Sequence, residues 1–252
     1  MPICGRGEAL SQQKRPKGRK RGTKVAAIYD FDFSILCWLQ ENLRNPILDP
    51  IMKGISIAGN KGILMILIAL IFLIPKKTRR AAFAALVGMA IGAIIVNLTL
   101  KPFFMRLRPY AEYSVLKPIV DMSSDPNSFP SGHTTAAFAL FGAWLGIMPL
   151  KSLKVCSGVL AFLMGFSRLY VGVHFPTDVF VGAAIGFTAG LIGALIVKKG
   201  GAAYDRKKAA TAAAAGISES GAEAARDEAQ AGPAESHFEN EGGGDINPPK
   251  EE

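Results

Sequence analysis

The sequence is poor in side chains that bind metals. It contains three cysteines and three histidines in 252 residues, and Cys4, Cys37 and Cys156 lie too far apart to supply the paired ligands of a zinc site. It also lacks an acidic cluster of the kind that holds magnesium. We therefore expect no metal and no other cofactor, and we expect the three cysteines to be reduced structural residues.

The sequence also lacks two patterns that would explain its basic N-terminal run, residues 14–24. No clean apolar core of a signal peptide follows the run, and no aromatic residues are interleaved with it as in a nucleic-acid recognition motif. Residues 211–252 hold 10 of the 20 acidic residues and two basic ones, so the rest of the chain carries 27 basic and 10 acidic residues. That balance suits anionic lipid headgroups, and we expect no nucleic-acid partner.

Long apolar blocks, in contrast, are abundant. Half of the residues are hydrophobic, and their concentration in blocks indicates a membrane protein. The expected fold class is an all-α polytopic membrane bundle with about five to six spans. The five clear spans are residues 51–74, 81–100, 131–148, 153–173 and 175–197.

Composition divides the chain into three parts. Residues 1–27 predict a disordered basic arm, and residues 28–199 predict the membrane domain. Within that domain, residues 28–45 predict an interfacial amphipathic helix, and Gly59 with Asn60 predicts a break in the first span. Residues 200–252 are rich in Ala, Gly and Glu and lack large apolar side chains, which predicts a disordered tail with at most a frayed Ala-rich helix at its start.

The loops between the spans fall into two sets on opposite faces. One set is basic and contains no acidic residue, so the positive-inside rule places it in the cytoplasm. Its basic residues are Lys76, Lys77, Arg79, Arg80, Lys151, Lys154, Lys198 and Lys199. The other set, residues 101–130 and 168–174, then faces outward from the plasma membrane. With five spans the basic N-terminal arm would also lie outside, so either residues 28–59 cross once more or the arm is an exception to the rule.

Three cations lie at span ends on the predicted outer face: Lys101, Arg108 and Arg168. A single such residue would be interpreted as an interfacial side chain that snorkels to the membrane surface, and we interpret Arg106 and Lys117 in that way. Three cations beside two histidines instead indicate a multiply charged anion. Phosphate fits best, because the guanidinium fork matches its oxygens.

Residues 130–133, with the sequence Pro-Ser-Gly-His, open the third span. Ser131 is a natural N-cap, and Gly132 lets a ligand approach the backbone, so the helix start predicts an anion site. Alone, the tetrapeptide could be ordinary helix capping. His133 makes a functional interpretation stronger, because both histidines of the membrane domain lie at the outer ends of spans.

The last span, residues 175–197, begins between His174 and Asp178, and Pro176 suits its first turn. A carboxylate four residues after the histidine can bind one imidazole nitrogen and leave the other free as a nucleophile. The alternative is that Asp178 only caps the helix. The predicted chemistry is attack of His174 on phosphorus, with His133 protonating the leaving oxygen and then activating water.

Segments 101–109, 130–133 and 167–178 resemble the three signature motifs of the phosphatidic acid phosphatase type 2 family, which is related in its core to vanadium haloperoxidases. The motifs are K-x6-R-P, P-S-G-H and S-R-x5-H-x3-D, and every fixed position matches in order. The resemblance covers roughly residues 28–199. It implies a helical membrane core, metal-independent phosphatase activity, and a role of Ser131 and Gly132 in binding phosphate.

We therefore predict an integral membrane hydrolase that acts on a lipid phosphate, with undecaprenyl diphosphate as first choice and phosphatidic acid or phosphatidylglycerol phosphate as alternatives. Two other hypotheses are alternatives to this one. A vanadate-dependent haloperoxidase is disfavoured because those relatives are soluble. A non-catalytic protein that binds or transports phosphate or lipid would have no need of His174 and Asp178.

Overall fold

The computed structural model describes residues 24–121 and 125–230, with side chains for 27–121 and 125–213. Apart from one isolated bridge between Leu107 and Asn127, these residues form helices, turns and loops, which confirms the predicted all-α fold. The helices are α1 (Lys24–Asn42), α2 (Leu48–Ala58), α3 (Ile63–Leu73), α4 (Arg79–Ala93), α5 (Lys101–Phe104), α6 (Pro109–Glu112), α7 (Gly132–Ile147), α8 (Lys151–Tyr170) and α9 (Pro176–Gln230).

The described helices include several that are long and apolar enough to cross a membrane. Three pass this test alone, at Arg79–Phe104, Lys151–Tyr170 and Pro176–Ala213. The bent pair formed by α2 and α3 makes a fourth if it is counted as one span. α7 has 16 residues, so it is about 24 Å long and shorter than a full span. These helices make the protein a multi-pass membrane protein.

The break that Gly59 and Asn60 predict is present. A 3₁₀ turn at Asn60–Gly62 separates α2 from α3, and the two helices are bent by 49°. Lys61 and Gly62 have φ values of 52° and 75° there, which end one helix and allow the next to start in another direction. A second irregularity, a π-helical stretch at Ile94–Leu100, lies between α4 and α5.

α7 packs tightly against α4 and α9 through small residues. A Cβ built on Gly88 of α4 would lie 2.7 Å from the Cα of Gly190, and one on Gly92 would lie 2.8 Å from the side chain of Thr135. At these distances, no side chain larger than the hydrogen atom of glycine fits at either position. The start of α7 is therefore fixed beside the start of α9, where the backbone N–H of Ser131 donates to the carbonyl of Asp178 at 3.1 Å.

α1 is a helix, as predicted, and one of its faces packs on the loops of the predicted outer side. Phe33 and Leu36 are buried against Tyr113 and Phe175, while Phe31 and Trp38 are exposed. The position of α1 at the membrane interface stays a prediction. Among the cysteines, Cys156 is free but Cys37 is disulfide-bonded, so the expectation of a reduced thiol is wrong for Cys37.

α9 continues to Gln230 and so enters the segment that was predicted to be a disordered tail. Twelve of the 29 residues from 202 to 230 are Ala. Ala has the highest intrinsic helix propensity, so the helix continues without large apolar side chains to pack. The domain boundaries at 27 and 199 stay predictions. The predictions for residues 1–23 and 231–252 concern segments outside the described residues.

Candidate active site

The three predicted segments meet around one cavity of about 440 Å³. Five of the predicted site residues line it: Lys101, Arg108, Gly132, His133 and His174. Ser131, Arg168 and Asp178 do not line it and are buried in the surrounding structure. A polar cavity at the ends of several helices is a typical place for a small-molecule site.

His174 lies on the short connection between α8 and α9 and is 1% exposed. Its Nε2 is 3.4 Å from Nη1 of Arg108. Its Nδ1 is 3.4 Å from Oγ of Ser128 and 3.6 Å from Oδ2 of Asp178. Burial, followed by the charges of Arg108, Arg168 and Lys101, lowers the pKa of His174 well below its ordinary value. The imidazole is therefore neutral. Its Nε2 lies on the side of Arg108, which lines the cavity.

Asp178 combines the two roles that the sequence left open. It accepts a hydrogen bond from the backbone N–H of Phe175 at 2.8 Å, which caps the start of α9. The same oxygen, Oδ2, accepts a hydrogen bond from the hydroxyl of Ser128 and faces Nδ1 of His174. Asp178 thus caps the helix start and also lies 3.6 Å from the imidazole of His174.

Lys101 and Arg108 converge on one carboxylate oxygen in the cavity. Oδ2 of Asp125 lies 2.5 Å from Nζ of Lys101 and 3.3 Å from Nη2 of Arg108. Burial alone would raise the pKa of Asp125, but the hydrogen bond and charge of Lys101 and the charge of Arg108 outweigh it and lower this pKa. The two cations therefore already bind a single oxyanion, which is the geometry that a phosphate oxygen would use.

Arg168 and His133 have buried nitrogen atoms without a hydrogen-bond partner among the described residues. In Arg168 these are Nε and Nη2, while Nη1 donates to the hydroxyl of Ser56. In His133 the atom is Nε2. Buried polar atoms normally have partners, so these atoms indicate where an anionic ligand would complete the site.

Gly132 lines the cavity, and Ser131 supports it from behind. A Cβ built on Gly132 would lie 3.9 Å from Oδ1 of Asn97, so the backbone there is open to a ligand. The hydroxyl of Ser131 accepts a hydrogen bond from Thr134 at 2.9 Å, and its carbonyl accepts one from Thr135 at 2.9 Å. The side chain of Ser131 thus belongs to the first turn of α7 and not to the cavity surface.

Comparisons with known proteins identify the family of this chain. The model of the PAP2 superfamily matches residues 81–201. Phosphatidylglycerophosphatase B of Bacillus subtilis is 33% identical over 154 residues, which cover 57% of this chain and 72% of the relative. The protein belongs to the PAP2 superfamily.

Two further likenesses connect this PAP2 protein to lipid phosphatases. Undecaprenyl-diphosphatase BcrC of Bacillus subtilis is 28% identical over 59% of this chain and 75% of its own length. The crystal structure of Aquifex aeolicus LpxE aligns with a TM-score of 0.56 and 28% identity, over 66% of this chain and 94% of the other. The chain is thus a lipid phosphatase of a family that acts without metal.

Arg106 is a site residue that the sequence analysis missed. Its side chain is 9% exposed, and it binds Oδ1 of Asp178 at 2.7 Å and Oδ2 of Asp32 at 2.8 Å. Its guanidinium carbon lies 4.2 and 4.0 Å from the ring centroids of Tyr29 and Phe175. The interpretation of Arg106 as a snorkelling side chain is therefore wrong, because two buried carboxylates hold it inside the protein.

Asp32 ties α1 to this cluster. It is fully buried, and it accepts hydrogen bonds from the backbone N–H and hydroxyl of Thr177 at 3.1 and 2.5 Å. A buried acidic residue inside an apolar helix needs a partner. This rule was the only feature of the sequence that could have indicated a buried ion pair at Asp32. No spacing rule could have named the partner, because Arg106 and Thr177 lie far away in the sequence.

The first prediction concerns Arg106 as a positioning residue. Arg106→Lys keeps the charge but cannot bridge two carboxylates with a planar fork, so Asp178 should lose its fixed orientation. We expect kcat to fall by about tenfold or more, with a change in KM below about twofold. The measurement is the steady-state hydrolysis of a lipid phosphate in detergent.

Arg79→Lys, at the first residue of α4, is the matched control and should retain wild-type kcat. Its arginine is exposed and donates only to nearby backbone carbonyls. A thermal midpoint of Arg106→Lys within a few degrees of wild type would exclude general unfolding. Unchanged kcat in that folded variant would contradict the role of Arg106.

The second prediction concerns the protonation of His174. The chain contains only three histidines, so labelling with ¹⁵N-histidine gives few signals, and His174→Gln assigns one of them. Because burial and the neighbouring cations lower the pKa of His174, its ring should stay neutral as the pH falls through 6.5 and become protonated only at lower pH. A titration midpoint at or above pH 6.5 in the substrate-free protein would contradict the described environment.

Proposed function

We propose that this PAP2 protein hydrolyses a lipid phosphate or diphosphate at the outer face of the plasma membrane through a phosphohistidine on His174. Undecaprenyl diphosphate is the first substrate proposed. The observation that carries the proposal is the pair of contacts at the two imidazole nitrogens. Nδ1 faces the buried carboxylate of Asp178, and Nε2 faces Arg108 at the cavity.

In the first step, Nε2 of His174 attacks phosphorus. Lys101, Arg108 and Arg168 bind the non-bridging oxygens, and the start of α7 at Gly132 contributes backbone dipoles. The N–P bond forms as the P–O bond to the leaving group breaks. The electron pair of the broken bond goes to the departing oxygen. A monoanionic phosphate group brings one proton into the site, which passes to Nε2 of His133 and from there to the departing oxygen.

In the second step, water releases the phosphate. His133, now neutral, takes a proton from the water molecule, whose oxygen forms a bond to phosphorus. The N–P bond breaks, its electron pair returns to Nε2 of His174, and inorganic phosphate leaves. Asp178 keeps the imidazole in one orientation through both steps. Ser131 contributes by holding the first turn of α7 through its bonds to Thr134 and Thr135.

The proposed face of the membrane follows from the charges of the loops. The loops that carry Lys76, Lys77, Arg79, Arg80, Lys151 and Lys154 are basic and lie at the opposite ends of their helices from the motif residues. By the positive-inside rule these loops face the cytoplasm. The cavity then opens outward, so a lipid headgroup enters it while the hydrocarbon tail stays in the bilayer.

Two relatives support different substrates. The likeness to undecaprenyl-diphosphatase BcrC favours a prenyl diphosphate. The likeness to phosphatidylglycerophosphatase B, which has the higher identity, favours phosphatidylglycerol phosphate as the second candidate. Phosphatidic acid has the same phosphomonoester group and is the third. All three present a phosphate that the proposed mechanism can transfer to His174.

The third prediction is the outcome of a substrate panel. Purified protein should release phosphate from undecaprenyl diphosphate faster than from phosphatidylglycerol phosphate or phosphatidic acid, each in mixed micelles. His174→Ala should lower kcat by about a thousandfold or more, because it removes the nucleophile. Faster hydrolysis of a glycerophospholipid would overturn the first substrate, and wild-type kcat in His174→Ala would overturn the phosphohistidine.

The fourth prediction concerns metal removal. In the part of the chain that the structure describes, no group of three or more His, Cys, Asp or Glu side chains is placed to bind a metal, and fixed cations bind the phosphate instead. Hydrolysis should therefore keep its rate in excess EDTA. Loss of activity with chelator and its recovery with magnesium would contradict this assignment.

A further inference from the structure

One wall of the cavity is formed by residues outside the three motif segments. Asn60, Lys61 and Asn97 line it together with His133. Among the described residues, none of the side chains of Asn60, Lys61 and Asn97 has a hydrogen-bond or ion-pair partner. The residues that line the catalytic cavity therefore include one lysine and two asparagines whose side chains bind no other described residue.

The backbone around Lys61 is built to place this residue at the cavity. Lys61 has a φ of 52°, which is uncommon for a residue other than glycine and is concentrated at functional sites. It lies in the 49° break between α2 and α3. A lysine within a membrane span costs free energy when its charge contacts lipid. At the break, Lys61 lines the cavity instead.

The break also lies against the residue assigned as proton donor. A Cβ built on Gly59 would be 3.4 Å from Cδ2 of His133, and one on Gly62 would be 3.4 Å from Cβ of Ala136. The turn that carries Lys61 thus packs on the first turn of α7, on the side of His133. In the proposed mechanism His133 protonates the departing oxygen, so Lys61 belongs to the leaving-group side of the cavity.

Asn97 reaches the same region from another helix. It lies in the π-helical stretch Ile94–Leu100, and single π-turns are frequent at functional sites because they change the direction of side chains. Its Oδ1 is 3.9 Å from the position of a Cβ built on Gly132. Asn97 therefore lies next to the predicted phosphate-binding turn.

We infer that Lys61, with Asn60 and Asn97, forms a subsite for the second, leaving phosphate of a lipid diphosphate; this inference rests on the proposed function. Of the three cations assigned to the reacting phosphate, Lys101 and Arg108 already share the carboxylate of Asp125, and Arg168 is buried behind the residues that line the cavity. Lys61 has no such partner, so it is the cation left to neutralise a second phosphate.

The bond changes make the subsite selective. When His174 attacks the terminal phosphorus of a diphosphate, the bridging P–O bond breaks and the lipid monophosphate leaves with the electron pair. His133 protonates the former bridging oxygen, and Lys61 stabilises the negative charge that remains on that leaving phosphate. A phosphomonoester releases a neutral alcohol, which offers Lys61 no charge to bind.

The fifth prediction tests the subsite by inhibition, with whichever lipid phosphate the protein hydrolyses as reporter. Lys61→Met should raise the Ki of methylenediphosphonate about tenfold more than the Ki of methylphosphonate, because only the first inhibitor carries a second anionic group. Lys61→Arg, which keeps the charge, should restore most of the difference. Lys53→Met is the matched control in α2, exposed and away from the cavity, and should leave both Ki values unchanged.

The outcomes separate the subsite from the proposed function. An equal change in both Ki values, or no change in either, would overturn the subsite even if hydrolysis proceeds as proposed. A wild-type protein that hydrolyses glycerophospholipid phosphates but no prenyl diphosphate would overturn the proposed substrate, while the two Ki values would still decide whether Lys61 binds a second anion.

Discussion

The buried carboxylate of Asp178 is the interaction on which the site depends. It lies at the start of α9 and contacts His174, Ser128 and Arg106 at once. A buried carboxylate is stable only when it is paired and hydrogen-bonded, so each of these partners must hold its place for the others to do so. The position of His174 beside the cavity therefore depends on these contacts of Asp178.

Close packing of α4, α7 and α9 provides the rigid frame that this network needs. Glycines such as Gly88 and Gly190 let the backbones nearly touch, and a dense interface does not deform continuously. The proposed transfer of phosphate to His174 requires the nucleophilic nitrogen and the phosphorus to be positioned accurately. The small residues far from His174 thus serve the reaction by keeping the starts of α7 and α9 together.

Local spacing predicted the contacts inside each motif. His174 and Asp178 are four residues apart around a helix start, and their side chains lie 3.6 Å apart. The break at Gly59 and Asn60 was also predicted from the sequence. These features depend on a few neighbouring residues, which is why sequence alone could indicate them.

Contacts between distant segments could not be predicted in this way. Arg106 follows Phe103, Phe104 and Met105, so it resembles an interfacial cation until Asp32 is seen to approach from α1. The helix beyond Gly201 shows a different limit, since the lack of large apolar residues argued for disorder while the Ala content favoured a helix. When two local signals compete in this way, composition alone does not show which of them has the larger effect on the free energy of the helix.

The position of Asp125 determines how the substrate meets the protein. Its carboxylate occupies Lys101 and Arg108 before any ligand arrives, so an incoming phosphate does not enter a vacant cluster of positive charge. It exchanges one anion for another, and the net electrostatic gain is the difference between two similar ion pairs. In the proposed mechanism, this exchange weakens the binding of the headgroup. It also eases the release of the product phosphate, which a site lined only by free cations would hold tightly.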